Sequence, residues 1–229
     1  MDGEASRDVL LVHGLWHGGW SWDAVIERLQ SSGVRADAVE LPMRSLAQDS
    51  AVVRAALDDA QRPVVLVGHS YGGAVVTASG DHPAVAHLVY FAAFALTETE
   101  SISRVAPDQH VPETGLSAAL RFSVDRSEVN IDPERATELL YQHAPDAGQE
   151  ALPRLRPVAR ALFAARPEVA AWRTKPATYV VCTDDRTVAP KLQRIMAERV
   201  ADRREWRSDH SPLASRPDDV AALLLELAG

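Results

Sequence analysis

Val64-Val65-Leu66-Val67-Gly68-His69-Ser70-Tyr71-Gly72-Gly73-Ala74-Val75-Val76 is the stretch that decides the fold of this 229-residue chain. Four apolar residues in a row predict a strand covered on both faces, and the residues after Ser70 predict a helix. Gly68-His69-Ser70-Tyr71-Gly72 is therefore a G-x-S-x-G sequence on a strand-to-helix turn. Such a turn holds its serine in a strained backbone conformation, and only small residues two places before and after it let the neighbouring chain pass. Glycine stands at both places. The Ser70 hydroxyl is then expected above the sheet, at the positive end of a helix, where negative charge forming on a bound oxygen is stabilised. The plainer reading, a glycine-rich turn that packs a helix on a strand, is disfavoured by the strand before it and the helix after it.

Outward from this turn, short apolar runs alternate with helix-period segments. Residues 8–12, 35–39, 63–67, 87–93, 178–182 and 204–206 read as strands. Residues 21–32, 45–60, 71–80, 191–200 and 216–227 carry apolar side chains three and four apart and read as the covering helices. The pattern predicts an α/β fold with a six-stranded, mostly parallel sheet and helices on both faces. More than eighty residues separate the fourth strand from the fifth, too many for an ordinary crossover. Eight of the 14 prolines lie there but only Gly115 and Gly148 of the 12 glycines, with helix-like pieces at 133–143 and 158–165. This predicts a helical cap at residues 101–176, inserted after the fourth strand into a core made of residues 1–100 and 177–229. A cap so placed stands over the carboxyl ends of the strands, where open α/β sheets bind ligands.

Composition narrows the partners. With 46% hydrophobic and 24% charged residues the chain reads as globular, which excludes disordered and fibrous classes. A formal charge of −8 without a basic cluster argues against nucleic acid and anionic membrane as partners. Cys182 is a single cysteine, so neither an internal disulfide nor a thiolate metal site is expected, and a reducing, cytoplasmic setting fits. Residues 1–8 lack the basic start and apolar core of an export signal, and no run of about 18 apolar residues is present. Nothing in the chain specifies an oligomeric state.

A serine hydroxyl needs a positioned base to attack at neutral pH. His210, in the loop between the last strand and the last helix, is the best placed of eight histidines, because that loop opens on the same sheet edge as Ser70. An acid must orient the imidazole, and Thr183-Asp184-Asp185-Arg186 follows the penultimate strand, giving the chain order Ser, Asp, His. Asp185 is preferred to Asp184 because it stands further into the loop; Glu98 and Glu100 are weaker candidates. An oxyanion needs two fixed N–H donors: Tyr71 supplies one, and Leu15, after the turn-forming Gly14, supplies the other. His13 and His17 are four apart, but no third ligand is spaced near them, so no metal is expected, and no cofactor.

Together, Leu11-Val12-His13-Gly14-Leu15-Trp16-His17-Gly18-Gly19-Trp20-Ser21-Trp22, Gly68-His69-Ser70-Tyr71-Gly72-Gly73, Thr183-Asp184-Asp185-Arg186 and Asp209-His210 resemble the α/β-hydrolase superfamily. Within it they resemble the branch of plant methylesterases, plant hydroxynitrile lyases and bacterial esterases. The resemblance implies the reduced six-stranded fold with a helical cap, Ser70 as nucleophile, His210 as base, Asp185 as orienting acid, and the Leu15 and Tyr71 amides as oxyanion hole. The lyases carry a threonine where this chain has Gly14 and a lysine where it has Ser211, so the expectation is a serine hydrolase acting on a small-molecule carboxylic ester. Cyanohydrin cleavage, carbon–carbon bond hydrolysis and a non-catalytic binding role are the alternatives. A nucleotide-binding oxidoreductase is disfavoured, because Gly14, Gly18 and Gly19 do not form G-x-G-x-x-G. Trp16, Phe94, Phe122, Tyr141, Phe163 and Trp172 are candidates for an apolar pocket, weighed against ordinary packing.

Overall fold

The alternation of buried side chains along each strand shows how the sheet is covered. In β1 (Asp8–Val12), Val9 and Leu11 join an apolar cluster on one face, while Leu10 and Val12 join another on the opposite face. The computed structural model, which describes residues 7–106 and 110–229, repeats this in β3 (Val64–His69) and β4 (Val85–Phe91). Together with β2 (Ala36–Ala38), and with β8 (Ala177–Cys182) and β9 (Asp202–Trp206) after a long excursion, they form a six-stranded sheet in the order β2-β1-β3-β4-β8-β9. Every neighbouring pair is parallel. Burial on both faces is why the four inner strands, β1, β3, β4 and β8, read as continuous apolar runs, while the edge strands β2 and β9 are partly exposed.

One face carries α1 (Asp23–Ser31) and, at the end of the chain, α8 (Pro212–Ser215) and α9 (Pro217–Ala228), packed on Val65, Val67, Val89 and Val180. The other carries α2 (Leu46–Asp58), α3 (Gly72–Ser79) and α7 (Pro190–Ala197) on Leu66, Leu88, Tyr90 and Val181. The Ser45 hydroxyl starts α2 by accepting from the Gln48 N–H at 3.2 Å. One expected helix is divided: residues 21–32 become a 3-10 turn, Gly19–Trp22, followed by α1; α9 coincides with the helix expected at 216–227, and α8 is an additional short turn before it. No helix of the described residues is long and apolar enough to cross a membrane.

The excursion between β4 and β8 differs from its expected helical character. It holds α4 (Leu116–Ala119), α5 (Pro133–Leu140) and α6 (Pro145–Ala151), but also an antiparallel sheet in the order β5-β6-β7. Its strands are β5 (Leu120–Phe122), β6 (Glu128–Ile131) and β7 (Val158–Ala159). Residues 158–165, read as helical, are β7 followed by a 3-10 turn, Arg160–Ala164. Two to four residues are too few for a period-2 pattern to stand out, and β6, with Val129 and Ile131 buried between less buried Glu128 and Asn130, shows it only once paired.

The excursion lies against loops that follow β1, β2, β8 and β9. The Arg156 and Ala159 N–H groups donate to the Trp16 and Met43 carbonyls, each at 3.0 Å. The Thr187 hydroxyl donates to the Leu139 carbonyl at 2.8 Å, and the His143 N–H to the Asp209 carboxylate at 2.9 Å.

Candidate active site

At the end of β3 the chain reverses into α3 through Ser70, which has φ +53°, in the left-handed region a non-glycine residue enters only when its surroundings impose it. The two flanking glycines are needed for contact reasons. A Cβ on Gly68 would lie 2.6 Å from the Gly72 carbonyl oxygen, and one on Gly72 would lie 2.4 Å from that of Val12. The Ser70 N–H donates to the Phe91 carbonyl at 3.2 Å, and the Ser70 carbonyl accepts from Gly73 at 2.9 Å and Phe94 at 3.1 Å. The strained residue is thus held by the adjacent strand and by its own helix.

The loop after β9 reaches this turn. His69 Nε2 donates to the His210 carbonyl at 2.7 Å, and the two ring centroids are 4.8 Å apart, so His210 lies against the residue preceding Ser70. His210 Nδ1 donates to Asp185 Oδ2 at 2.8 Å, with both side chains buried. Asp185 Oδ1 accepts from the Thr187 and Val188 amides at 2.7 and 3.0 Å. Among the described residues no hydrogen bond engages Nε2, the other nitrogen of the His210 ring. Asp184, its neighbour, is half-buried and faces His143 and Arg207 instead. Glu100 is tied to Arg199 at 2.7 and 2.8 Å, and half-exposed Glu98 faces Arg173. Burial works to raise the Glu100 carboxyl, but the Arg199 guanidinium and the Thr97 and Ala106 amides outweigh it and hold it at about 2.

Among the described residues, neither the Leu15 nor the Tyr71 N–H donates to a protein acceptor. Leu15 lies in a loop braced by two histidines. His13 Nδ1 donates to the Gly14 carbonyl at 2.9 Å, and its Nε2 accepts from the Leu41 N–H at 3.1 Å. His17 Nδ1 donates to the Leu15 carbonyl at 2.7 Å, and its Nε2 accepts from the Tyr141 hydroxyl at 2.7 Å. Both rings are fully committed. Burial pushes His13 down to about 4, His17 to about 3, and His69 well below the usual range. On the other side of the turn, the Tyr71 hydroxyl donates to the buried Asp49 carboxylate at 2.5 Å. Burial raises both the Asp49 carboxyl and the Tyr71 phenol.

The pocket candidates divide. A cavity of about 600 Å³ is lined by Phe94 and Phe163 together with Ile102, Leu116, Val188 and Leu192. Ser70 and His210 are not among its lining residues; two residues of its wall are bonded to the site, the Phe94 amide donating to the Ser70 carbonyl and the Val188 amide to the Asp185 carboxylate. Trp16 is buried under the excursion, its indole N–H donating to the Val129 carbonyl at 3.2 Å, and Tyr141 is taken up by His17. The indole N–H of half-buried Trp172 donates to the Leu96 carbonyl at 2.8 Å. Phe122, expected at a pocket wall, is instead 41% exposed on edge strand β5, with the Arg126 and Arg160 guanidiniums 4.7 and 5.7 Å from its ring centroid. Sequence reading missed the buried partners Gln193 and Asp49, and it named Asp209 beside His210 without giving it a role. Their only signal was a polar residue at an inward helical position or beside a candidate.

A sequence model of the alpha/beta hydrolase family matches residues 9–223. The chain belongs to the alpha/beta hydrolase family. This α/β hydrolase is 26% identical to Methylesterase 3 of Arabidopsis thaliana, over 98% of this chain and 97% of that protein. It is 27% identical to Methyl jasmonate esterase 1 of Vitis vinifera, over 96% of each. These are relatives of the methylesterase branch that the residues around His13 and Ser70 resemble. In fold it is similar to a pyrethroid hydrolase from Sphingobium faniae JZ-2, with a TM-score of 0.80 and 20% identity over 97% of both chains. The methylesterase MES16 from Arabidopsis gives a TM-score of 0.80 at 21% identity, over 96% of this chain and 98% of that one.

Proposed function

We propose that this α/β hydrolase is a serine esterase that cleaves a small carboxylic ester through an acyl-enzyme. The observation that carries the reading is the buried contact of His210 Nδ1 with Asp185 Oδ2 at 2.8 Å, on a loop bonded to the residue before strained Ser70.

In this mechanism Ser70 Oγ attacks the ester carbonyl carbon while His210 Nε2 takes the hydroxyl proton. Asp185 fixes the imidazole so that Nε2 carries the free lone pair. The carbonyl oxygen becomes an oxyanion held by the otherwise unengaged Leu15 and Tyr71 N–H groups, at the N-terminal end of α3. Loss of one such donor costs about 3 kcal/mol of barrier. The tetrahedral species collapses, His210 returns its proton to the departing alcohol, and the acyl group stays on Ser70. Water, deprotonated by His210, then attacks the acyl carbon and releases the acid and the free serine.

Residues 101–176 act in this reading as a cap that covers the site, and the cavity beside Phe94 and Phe163 takes the apolar part of the ester. The methylesterases among the relatives support a methyl ester or one of similar size. Gly14 favours ester hydrolysis over cyanohydrin cleavage: a Cβ there would stand 3.0 Å from Ser70 Cβ and 3.2 Å from His69 Nδ1, so glycine leaves the approach to the hydroxyl open. The test is a fluorophosphonate label together with p-nitrophenyl and aryl methyl esters. Ser70 should be labelled and Ser70→Ala should lose both labelling and turnover; undiminished turnover in Ser70→Ala would overturn the assignment.

A further inference from the structure

Gln193 lies on α7 with its side chain fully buried, and all of its polar groups are engaged. Its Oε1 accepts from the Cys182 N–H at 2.8 Å, and its Nε2 donates to the Val188 carbonyl and to Asp185 Oδ2, each at 2.7 Å. The orientation of the amide follows from its partners, because a flipped amide would set N–H against N–H at Cys182 and oxygen against oxygen at both other contacts. Asp185 Oδ2 is the same oxygen that accepts from His210 Nδ1 at 2.8 Å. With Thr187 and Val188 on Oδ1, the carboxylate has four donors, three of which belong to its own loop and to α7. It is therefore fixed in place without His210.

We propose that Gln193 is a positioning residue that tunes the basicity of His210 by sharing the Asp185 oxygen on which the imidazole rests. The inference rests on the acyl-transfer reading above. Two donors on one oxygen divide its negative charge, so removing the amide leaves more of it for the imidazolium, and His210 then holds its proton to higher pH. The carboxylate is also freed to rotate, which lowers the fraction of imidazoles oriented for transfer. The plain alternative is that Gln193 only satisfies the Cys182 N–H and fills space. That role predicts lost stability without any change in His210 titration.

The other titratable groups around His210 are Asp209 beside it, His69 from β3 and His17 from the loop after β1; around Asp185 they are Tyr179 and Cys182 of β8. Burial keeps both of those histidines, the phenol and the thiol in their neutral forms. None of these groups is replaced in the variants, so a shift reports the Gln193 contact.

The experiment compares the full-length chain with Gln193→Met, which keeps approximate shape but removes the donor, and with Gln193→Leu, which removes the same donor with a shorter apolar side chain. The low-field proton resonance of His210 Nδ1–H is titrated by NMR, and kcat and KM for a p-nitrophenyl ester are measured across pH. In Gln193→Met the His210 midpoint and the acid limb of kcat/KM should rise together by roughly half a pH unit or more, with kcat down roughly ten-fold and KM within about two-fold. Gln193→Leu should shift the midpoint in the same direction, since the same donor is lost from Asp185 Oδ2. A His210 midpoint unchanged in both folded variants overturns the proposal, whatever happens to the rate. Should Gln193→Met not fold, Gln193→Leu decides in the same way. Turnover that survives Ser70→Ala overturns the acyl-transfer reading instead, and the NMR titration still decides the role of Gln193.

Discussion

Replacing Gly72 with alanine puts a Cβ 2.4 Å from the Val12 carbonyl oxygen and 2.8 Å from that of His13. Ordinary contact begins at 3.4 Å, so about 1 Å must be found, and the strand side cannot supply it. Val12 is in register with Gly68 in the β1–β3 ladder, inside the six-stranded sheet. The helix has to move, and α3 carries the Tyr71 amide and Ser70 with it. Overpacking of this kind costs about 1–3 kcal/mol of stability. A misplacement of about 1 Å in a catalytic group costs about 100-fold in rate, equivalent to about 2.7 kcal/mol of barrier. The two effects are separable. Urea unfolding of G72A should show a lower midpoint with an unchanged slope, and kcat/KM for a p-nitrophenyl ester should fall about 100-fold under conditions where the variant is fully folded. A G72A protein with wild-type midpoint and a rate within two-fold of wild type would refute the close-approach account of the turn.

Asp185→Asn should reduce kcat by up to about 10⁴-fold, because an asparagine N–H at His210 Nδ1 favours the wrong tautomer, while KM stays close to wild type; a ten-fold loss or less would remove Asp185 as the orienting acid. Buried neutral imidazoles make stability depend on pH. The unfolded chain protonates His13 and His17 near pH 6.5, whereas the fold holds them neutral down to about 4 and about 3. Their contribution is complete above pH 6.5 and is lost as the pH falls towards those values, by about 2 kcal/mol per imidazole between pH 6.5 and 5. Urea midpoints at pH 7.5 and 5 measure this, and equal midpoints would contradict it.

The sheet was legible because burial on both faces leaves little freedom in composition: Val64-Val65-Leu66-Val67 can hardly be anything but a covered strand. The four inner strands of the sheet were read from such runs, with ends that shifted by up to two residues, whereas the edge strands β2 and β9 are polar or half-exposed and carry the pattern weakly. The fourth, read as 87–93, ends at Phe91, where Ala92 turns to φ +46°. The excursion resisted reading for the opposite reason. Its strands are two to four residues long, and their partners lie up to some thirty residues away in the chain. Val158 gains strand character only by pairing with Val129, a contact no local window contains.

Local chemistry alone picked out the residue types of the proposed site: a serine between glycines on a strand-to-helix turn, and an acid and a histidine on the loops that follow the last two strands, since parallel strands bring those loops to one edge. What only the tertiary structure decided is how each is held. Asp185 rather than Asp184 meets His210, because the Thr187 and Val188 amides and the Gln193 side chain close the acid loop around it. Tyr141 braces His17, and Phe122 lies outside on an edge strand. Backbone patterns repeat over a few residues and can be read along the chain. Side-chain partners 22 residues apart, as in Asp49 and Tyr71, or 124 apart, as in His17 and Tyr141, exist only once the fold has brought them together.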